Sequence, residues 1–217
     1  MSEILKRIVV AGGLIVIALI VALLQWKFGI NAVRYVGMLV VAIMIFEMVR
    51  CLFKTKLQVF VQDWNWLKFC SFLALLVLMM FAVYNVSAHP LIILLLLMII
   101  CGADVGAWFF GKIVGGDKLW QKISANKTWT GQIAGIVCGT LMSILYGFLF
   151  AGQFMPQLLW IGISISLLSQ YGDLTASWIK RKMEIKDFGN LLPGHGGMLD
   201  RFDGWIYALP LIWCVML

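Results

Sequence analysis

Long apolar runs, separated by short polar stretches, alternate along the chain. A run of about 20 residues is long enough for a helix to cross the hydrocarbon core of a membrane. The pattern predicts about seven such helices, at Ile8–Leu24, Tyr35–Phe53, Phe69–Val86, Pro90–Phe110, Gly131–Phe150, Leu158–Trp178 and Met198–Leu217. We therefore expect an all-α, polytopic integral membrane protein that forms a single transmembrane domain over residues 1–217.

The composition supports a membrane protein and argues against a soluble, disulfide-stabilised, zinc-binding or nucleic-acid-binding one. Hydrophobic residues make up 63% of the chain, against about 45–50% in soluble domains. The five cysteines are scattered along the sequence, so they indicate neither a disulfide framework nor a zinc site. The net charge of +7 comes from basic residues at the ends of apolar runs, which suits anionic headgroups and not nucleic acid.

The basic residues also predict an orientation. With the N-terminus inside, all of the 17 Lys and Arg residues except Lys27 and Arg34 fall on the inner side. An excess of Lys and Arg marks the cytoplasmic side of membrane proteins. We therefore expect every charged motif, and one site built from them, to face the cytoplasm.

Acidic residues near the C-terminus suggest a metal site. Asp173 lies in the sixth predicted span, and Asp200 and Asp203 share a face of the following helix. Three neighbouring carboxylates repel one another unless a cation lies between them. Hard oxygen ligands favour Mg²⁺ over Zn²⁺, so Asp173, Asp200 and Asp203 are predicted magnesium ligands.

Basic residues and glycines accompany these carboxylates. Ser177, Lys180 and Arg181 share the helix face of Asp173, while Lys186 and Arg201 follow in the sequence. Such cations bind phosphate oxygens. The glycines around His195, including Gly196 and Gly197, let backbone approach a phosphate closely. This combination is typical of phosphoryl or nucleotidyl transfer.

Two earlier segments carry further candidates. Asp104 lies within an apolar run among small residues, and an intramembrane carboxylate indicates function by default. The basic loop 111–129 includes Ser124, Lys127 and Thr128 just before a new helix, a place where phosphates bind. An excess of Lys and Arg on the cytoplasmic side, together with a helix N-cap, would account for the same residues without a ligand. The loop by itself therefore does not show that a phosphate binds there.

Two structural expectations concern helix contacts. Glu47 lies near the end of the second span, where we expect it to pair with Arg50 one turn on. Gly131, Gly135 and Gly139 form a smooth face that packs another helix, either within the chain or between subunits.

The charged motifs resemble one family. The pattern Ser177-x-Ile179-Lys180-Arg181, Lys186-Asp187-x-Gly189, Pro193-x-His195-Gly196-Gly197 and Asp200-Arg201-Phe202-Asp203 resembles the complete signature of the phosphatidate cytidylyltransferases, or CDP-diacylglycerol synthases. Segments 104–112 and 124–131 resemble two further motifs of that family. Ala125 and Thr130 depart from it, because the family has proline and usually glutamate there.

The resemblance implies a reaction: CTP and phosphatidate give CDP-diacylglycerol and pyrophosphate, with Mg²⁺ as cofactor. It implies that residues 1–100 are scaffold and residues 101–217 the catalytic half. It implies catalytic roles for Lys180, Arg181, Lys186, His195 and Arg201. It implies substrate contacts for Ser124, Lys127, Thr128, Ser177, Gly196 and Gly197, and an orienting role for Asp104 beside the metal site. A homodimer in a bacterial inner membrane is the expected setting, with membrane lipids as neighbours.

Three alternatives remain open at this point. The enzyme could act on another lipid phosphate, such as an ether or isoprenoid lipid. A CTP-dependent lipid kinase would release CDP and not pyrophosphate. A transporter of a phosphorylated lipid would need a charged path across the membrane, whereas the predicted outer turns 85–89 and 151–157 carry no Lys, Arg, Asp or Glu.

Overall fold

The computed structural model describes residues 20–21, 27, 31–54, 65–192 and 196–217. The first predicted span, Ile8–Leu24, lies outside the described residues except for 20–21. His195 lies outside them too, so the role predicted for it stays a prediction.

Helices dominate the described part of the chain. They are α1 (Ala32–Lys54), α2 (Asn65–Val86), α3 (Pro90–Ile113), α4 (Trp129–Ala151), α5 (Pro156–Lys182), α6 (Leu199–Phe202) and α7 (Trp205–Met216). Among the described residues, four helices are long and apolar enough to cross a membrane: Ala32–Phe53, Leu67–Val86, Pro90–Ile113 and Trp129–Ala151. The prediction of an all-α, membrane-type fold is therefore confirmed, although the count of seven spans is not.

The last two predicted spans differ from the others for physical reasons. A helix does form at the sixth span, but α5 is much more polar, because its second half carries Ser169, Gln170, Asp173 and Lys180. The seventh span, predicted as Met198–Leu217, is not continuous. A turn at residues 203–204 separates the single helical turn α6 from the apolar α7, which has only 12 residues.

A small hairpin forms in the basic loop, where the sequence predicted no regular structure. Strands β1 (Lys118–Trp120) and β2 (Ser124–Thr128) are antiparallel, with Lys118 opposite Thr128 and Trp120 opposite Ser124. The Trp129 N–H donates to the Asp117 carbonyl at 3.1 Å and closes the hairpin at the start of α4.

The chain divides into two compact units. The first consists of residues within Met1–Pro90 together with Lys182–Phe202, and the second of Leu91–Arg181 together with Asp203–Leu217. Residues 182–202 thus group with the N-terminal helices, whereas the sequence alone placed them with the C-terminal half.

In the first unit, α1 and α2 pack side by side in opposite directions. Near the start of α1, Gly37 lies against Val83 near the end of α2, where a side chain would clash. The Arg34 guanidinium lies over the Tyr84 ring at 4.3 Å from its centroid. Met44 and Met48 of α1 and Leu76 of α2 are fully buried.

In the second unit, α4 packs against α3 and α5 through its glycines. An added methyl group at Gly131 or Gly139 would approach the α3 carbonyls of Ala107 or Ile99 within 3 Å. The Gln132 carbonyl accepts a hydrogen bond from Gln170 of α5 at 3.2 Å. The glycine face therefore packs within the chain, which decides between the two partners that the sequence left open.

Candidate functional site

A cavity of about 920 Å³ lies within the second unit. It is bounded by the C-terminal half of α3, the hairpin, the first turn of α4 and the middle of α5. Its charged lining is mixed, and consists of Asp104, Lys112, Lys118, Lys127 and Asp173. Because the three lysines exceed the two carboxylates by one positive charge, the cavity suits an anionic ligand.

The hairpin places Lys127 and Thr128 on the cavity wall. Thr128 is the N-cap of α4: its extended backbone ends β2, and its Oγ1 accepts a hydrogen bond from Gly131 N at 3.1 Å. Thr130 Oγ1 donates to the Gly115 carbonyl and so holds the glycine turn that precedes β1. At the other end of the hairpin, Arg181 Nε donates to the Ile123 carbonyl at 3.2 Å.

Asp173 joins the hairpin to α5 inside this cavity. Its Oδ2 lies 2.6 Å from Lys127 Nζ, and its Oδ1 accepts a hydrogen bond from Ser177 at 3.3 Å. Ser177 is one helical turn beyond Asp173, as the spacing predicted. A carboxylate in contact with an ammonium and a hydroxyl is held in one orientation at the polar end of α5.

Asp203 lies in the turn between α6 and α7, outside the apolar helices. Its Oδ1 accepts a hydrogen bond from Gly204 N at 2.9 Å. The backbone at 203–204 packs directly on Gly172, the neighbour of Asp173, where any side chain would collide with the Asp203 carbonyl.

The charge environment of Asp203 is unusual. Burial first, and then the negative charge of Asp173, raise the pKa of Asp203 well above its ordinary value. The ammonium groups of Lys180 and Lys127 act in the opposite direction without cancelling this shift. A cation bound near Asp203 and Asp173 would oppose both effects.

The first unit contains the signature loop, the name used below for the described residues 183–192 and 196–198 between α5 and α6. Asp200 Oδ2 accepts hydrogen bonds from Phe188 N at 2.9 Å and Gly197 N at 3.0 Å. Leu192 N donates to the Gly196 carbonyl at 3.0 Å. Asp200 thus organises the loop, a contribution that the sequence did not reveal.

The predicted site residues divide between the two units. Asp104, Ser124, Lys127, Thr128 and Asp173 line the same cavity, although they are distant in sequence. Lys180 and Asp203 also belong to the second unit. Lys186, Gly196, Gly197, Asp200 and Arg201 belong to the first. Across the described ranges, no group of three or more His, Cys, Asp or Glu side chains is placed to share a metal ion. The three-carboxylate metal site stays a prediction.

Sequence reasoning missed Gln132 and Gln170, which line the cavity beside Asp173. Gln170 is one turn before Asp173 on the same face of α5, so spacing alone was the available signal. Glu47 was predicted to pair with Arg50, and this prediction is wrong. Its carboxylate accepts hydrogen bonds from Met198 N and Leu199 N in place of the expected Arg50.

Comparison with known proteins agrees with the motifs. A model of the cytidylyltransferase family matches residues 2–217. The phosphatidate cytidylyltransferase of Staphylococcus haemolyticus (strain JCSC1435) is 42% identical over 123 residues, and that of Staphylococcus aureus (strain COL) is 43% identical over 122. Each alignment covers 55% of this chain and 46% of the relative, so the matched part spans about half of the relatives' length. Since the family model covers nearly every residue, this chain belongs to the cytidylyltransferase family.

Proposed function

We propose that this protein transfers the cytidylyl group of CTP to phosphatidate, giving CDP-diacylglycerol and pyrophosphate. The observation that carries the proposal is the cavity in which Lys127 and Asp173 meet, lined by further lysines and by the N-cap of α4. Family membership and the printed names of the bacterial relatives support the choice of reaction and substrates.

The proposed reaction does not require a strong general base. An oxygen of the lipid phosphate forms a bond to the α-phosphorus of CTP, and the bond from that phosphorus to the β,γ-pyrophosphate breaks. Phosphate is already an anionic nucleophile, so the protein must mainly reduce repulsion between two anions and stabilise the leaving group. Lys127, with Lys112 and Lys118 on the same wall, supplies positive charge for this purpose.

Other residues complete the proposed site. Ser124, Thr128 and Ser177 would contact substrate oxygens, and Gly196 and Gly197 would approach them through backbone. Asp104 would orient the metal site from α3. Lys180, Arg181, Lys186, His195 and Arg201 would hold phosphate groups. Arg181 retains further N–H donors for this role, since only its Nε donates to Ile123.

Magnesium belongs to this proposal. The available donors are hard carboxylate oxygens. Burial, and then the charge of Asp173, raise the pKa of Asp203, so a cation bound beside these carboxylates would be stabilising. The carboxylates of Asp173 and Asp203 suit Mg²⁺ chemically, and Asp200 stays the third ligand that the sequence predicts. When bound, the ion would neutralise phosphate charge and withdraw electrons from the reacting phosphorus.

The distribution of basic residues and the similarity to bacterial proteins support a location and an orientation in the membrane. The membrane-length helices, the bacterial relatives and the positive-inside bias together support an integral protein of a bacterial inner membrane whose site faces the cytoplasm. A homodimer is part of the proposal through the family resemblance alone, because the glycine face of α4 is occupied within one chain.

The test uses purified protein in detergent–phosphatidate micelles with Mg²⁺ and CTP labelled at the α-phosphate. We expect label in the lipid fraction, release of pyrophosphate and complete inhibition by EDTA. Label that remains in soluble CDP, with unlabelled phosphate on the lipid, would make the protein a kinase. Competition between acyl and ether lipid phosphates identifies the preferred lipid.

A further inference from the structure

Glu47 is a buried carboxylate in an apolar helix. It lies two turns before the end of α1, and its side chain is only 5% exposed. Burying a carboxylate is costly unless hydrogen bonds replace its hydration. Its Oε1 accepts from Met198 N at 3.0 Å and its Oε2 accepts from Leu199 N at 2.9 Å. Both oxygens are therefore bound to consecutive backbone N–H groups at the end of the signature loop.

The loop is shaped around this carboxylate. A methyl group on Gly189 would lie 2.5 Å from Glu47 Oε1, and one on Gly197 would lie 2.6 Å from Oε2. Neither glycine has the positive φ that only glycine adopts readily. Space, and not backbone conformation, therefore requires glycine at both positions.

A second contact from α1 lies one turn further on. Cys51 Sγ donates to the Phe188 carbonyl at 3.0 Å. Glu47 and Cys51, spaced four residues apart, share one face of the helix. Phe188 within the loop and Met198 at its end are therefore both bound to α1. Asp200 links these two parts of the loop, because it accepts hydrogen bonds from Phe188 N and Gly197 N.

We propose that Glu47 is a positioning residue that fixes the signature loop in its reactive conformation. This inference rests on the proposed function, because the loop carries Lys186 and leads into Arg201, both proposed to hold phosphates. Glu47 itself contacts no substrate in the proposed mechanism. A glutamine cannot replace it, since two N–H donors require two acceptor oxygens and an amide offers only one.

Four variants test the proposal: Glu47→Gln, Glu47→Ala, Gly189→Ala, and Glu47→Ala combined with Gly189→Ala. The alanine at 189 displaces the carboxylate from its donors without removing it. We expect each single variant to lower kcat roughly ten- to hundredfold, which corresponds to losing one or two charge-assisted hydrogen bonds. Gly189→Ala should have no further effect when Glu47 is already alanine, because the clash is then absent. A general loss of stability would produce additive effects.

Hydrogen exchange supplies a readout that does not depend on turnover. In Glu47→Gln, peptides that cover 183–202 should exchange faster, while peptides of α2 exchange as they do in wild type. The matched control is Glu184→Gln, which removes a charge from an exposed carboxylate of the same loop and should retain kcat within about twofold.

Two results would overturn the proposal: wild-type kcat in Glu47→Gln, or faster exchange throughout α1 and α2 together with a lower thermal midpoint. If wild-type protein transfers no cytidylyl group, the proposed reaction fails instead. The exchange measurement then decides alone whether Glu47 holds the loop.

Discussion

Lys127 and Asp173 form an ion pair inside the second-unit cavity, with Nζ 2.6 Å from Oδ2. Strand β2 supplies the lysine and helix α5 the carboxylate. Their side chains are 24% and 39% exposed, so a ligand in the cavity can reach both. A partly exposed pair of this kind contributes little to stability. In the proposed mechanism, the pair keeps the Lys127 ammonium beside Asp173 until Mg²⁺ displaces it.

We predict that Lys127→Gln separates metal binding from turnover. Removing the ammonium should strengthen divalent-cation binding, because a competing positive charge is lost. Cytidylyl transfer should fall roughly ten- to hundredfold, because a phosphate loses a charged hydrogen-bond donor. Mn²⁺ binding by electron paramagnetic resonance and label transfer from CTP measure the two effects.

Lys122→Gln is the matched control for this prediction. Lys122 is an exposed lysine in the turn of the same hairpin, so its loss changes net charge equally. Both activity and Mn²⁺ binding should be close to wild type. Equal losses in the two variants would mean that overall charge matters and the ion pair does not.

Asp203→Asn should abolish turnover in a folded protein. In metal-free protein the raised pKa means that the folded state holds a proton at pH values where the unfolded state has lost it. Folding stability should therefore fall as pH rises through that pKa. We expect the thermal midpoint in EDTA to fall with rising pH in wild type but to fall less in Asp203→Asn.

Magnesium should reverse this loss only where the carboxylate is present. Adding Mg²⁺ at the higher pH should raise the thermal midpoint of wild type and leave that of Asp203→Asn unchanged. Asp117→Asn, which alters an exposed carboxylate next to the hairpin, is the control and should respond as wild type does. Normal turnover in Asp203→Asn would refute its role as a metal ligand.

The apolar pattern predicted most of the helices because length and hydropathy are local properties. The local pattern predicted less about the segments that contain polar side chains, because their contacts are with residues distant in the sequence. The Asp203–Gly204 turn interrupts the last span because its backbone packs on Gly172, a contact that no local pattern encodes. Likewise, spacing placed Asp173 and Ser177 together, but only the folded hairpin shows that Lys127 lies against Asp173.

Glu47 illustrates the same limit in the candidate site. An intramembrane carboxylate was visible in the sequence, and Arg50 one turn away was the obvious local partner. Its actual partners are about 150 residues further along the chain, at Met198 and Leu199. Backbone N–H groups leave no side-chain signature, so the sequence could not have identified them.

Thr128 both caps the N-terminus of α4 and lines the cavity. We expect Thr128→Ala to cost about 1 kcal/mol of stability, because the Gly131 N–H loses its acceptor at the start of α4. Thr128→Ser keeps the hydroxyl and should keep both stability and turnover. Thermal unfolding in detergent, with label transfer in parallel, tests this. A serine variant as impaired as the alanine variant would show that the methyl group matters, and not the cap.

The packing of the glycine face of α4 leads to a prediction about stability, which does not depend on the proposed reaction. In Gly139→Ala the new methyl would meet Ser166 Oγ of α5 and lie 2.9 Å from the Ile99 carbonyl of α3. A hydroxyl can rotate away, but a helix backbone cannot, so overpacking should cost about 1–3 kcal/mol.

Gly147, two turns further along α4, is the natural comparison. A methyl there would meet Leu158 Cδ1 at 2.7 Å, the end of a flexible side chain, and the Gln153 carbonyl at 3.3 Å. Replacing a helical glycine with alanine also removes about 1 kcal/mol of backbone entropy cost. Gly147→Ala should therefore unfold at or above the wild-type temperature, and Gly139→Ala clearly below it. If the two variants unfold at the same temperature, α4 does not pack closely on the α3 backbone at Ile99.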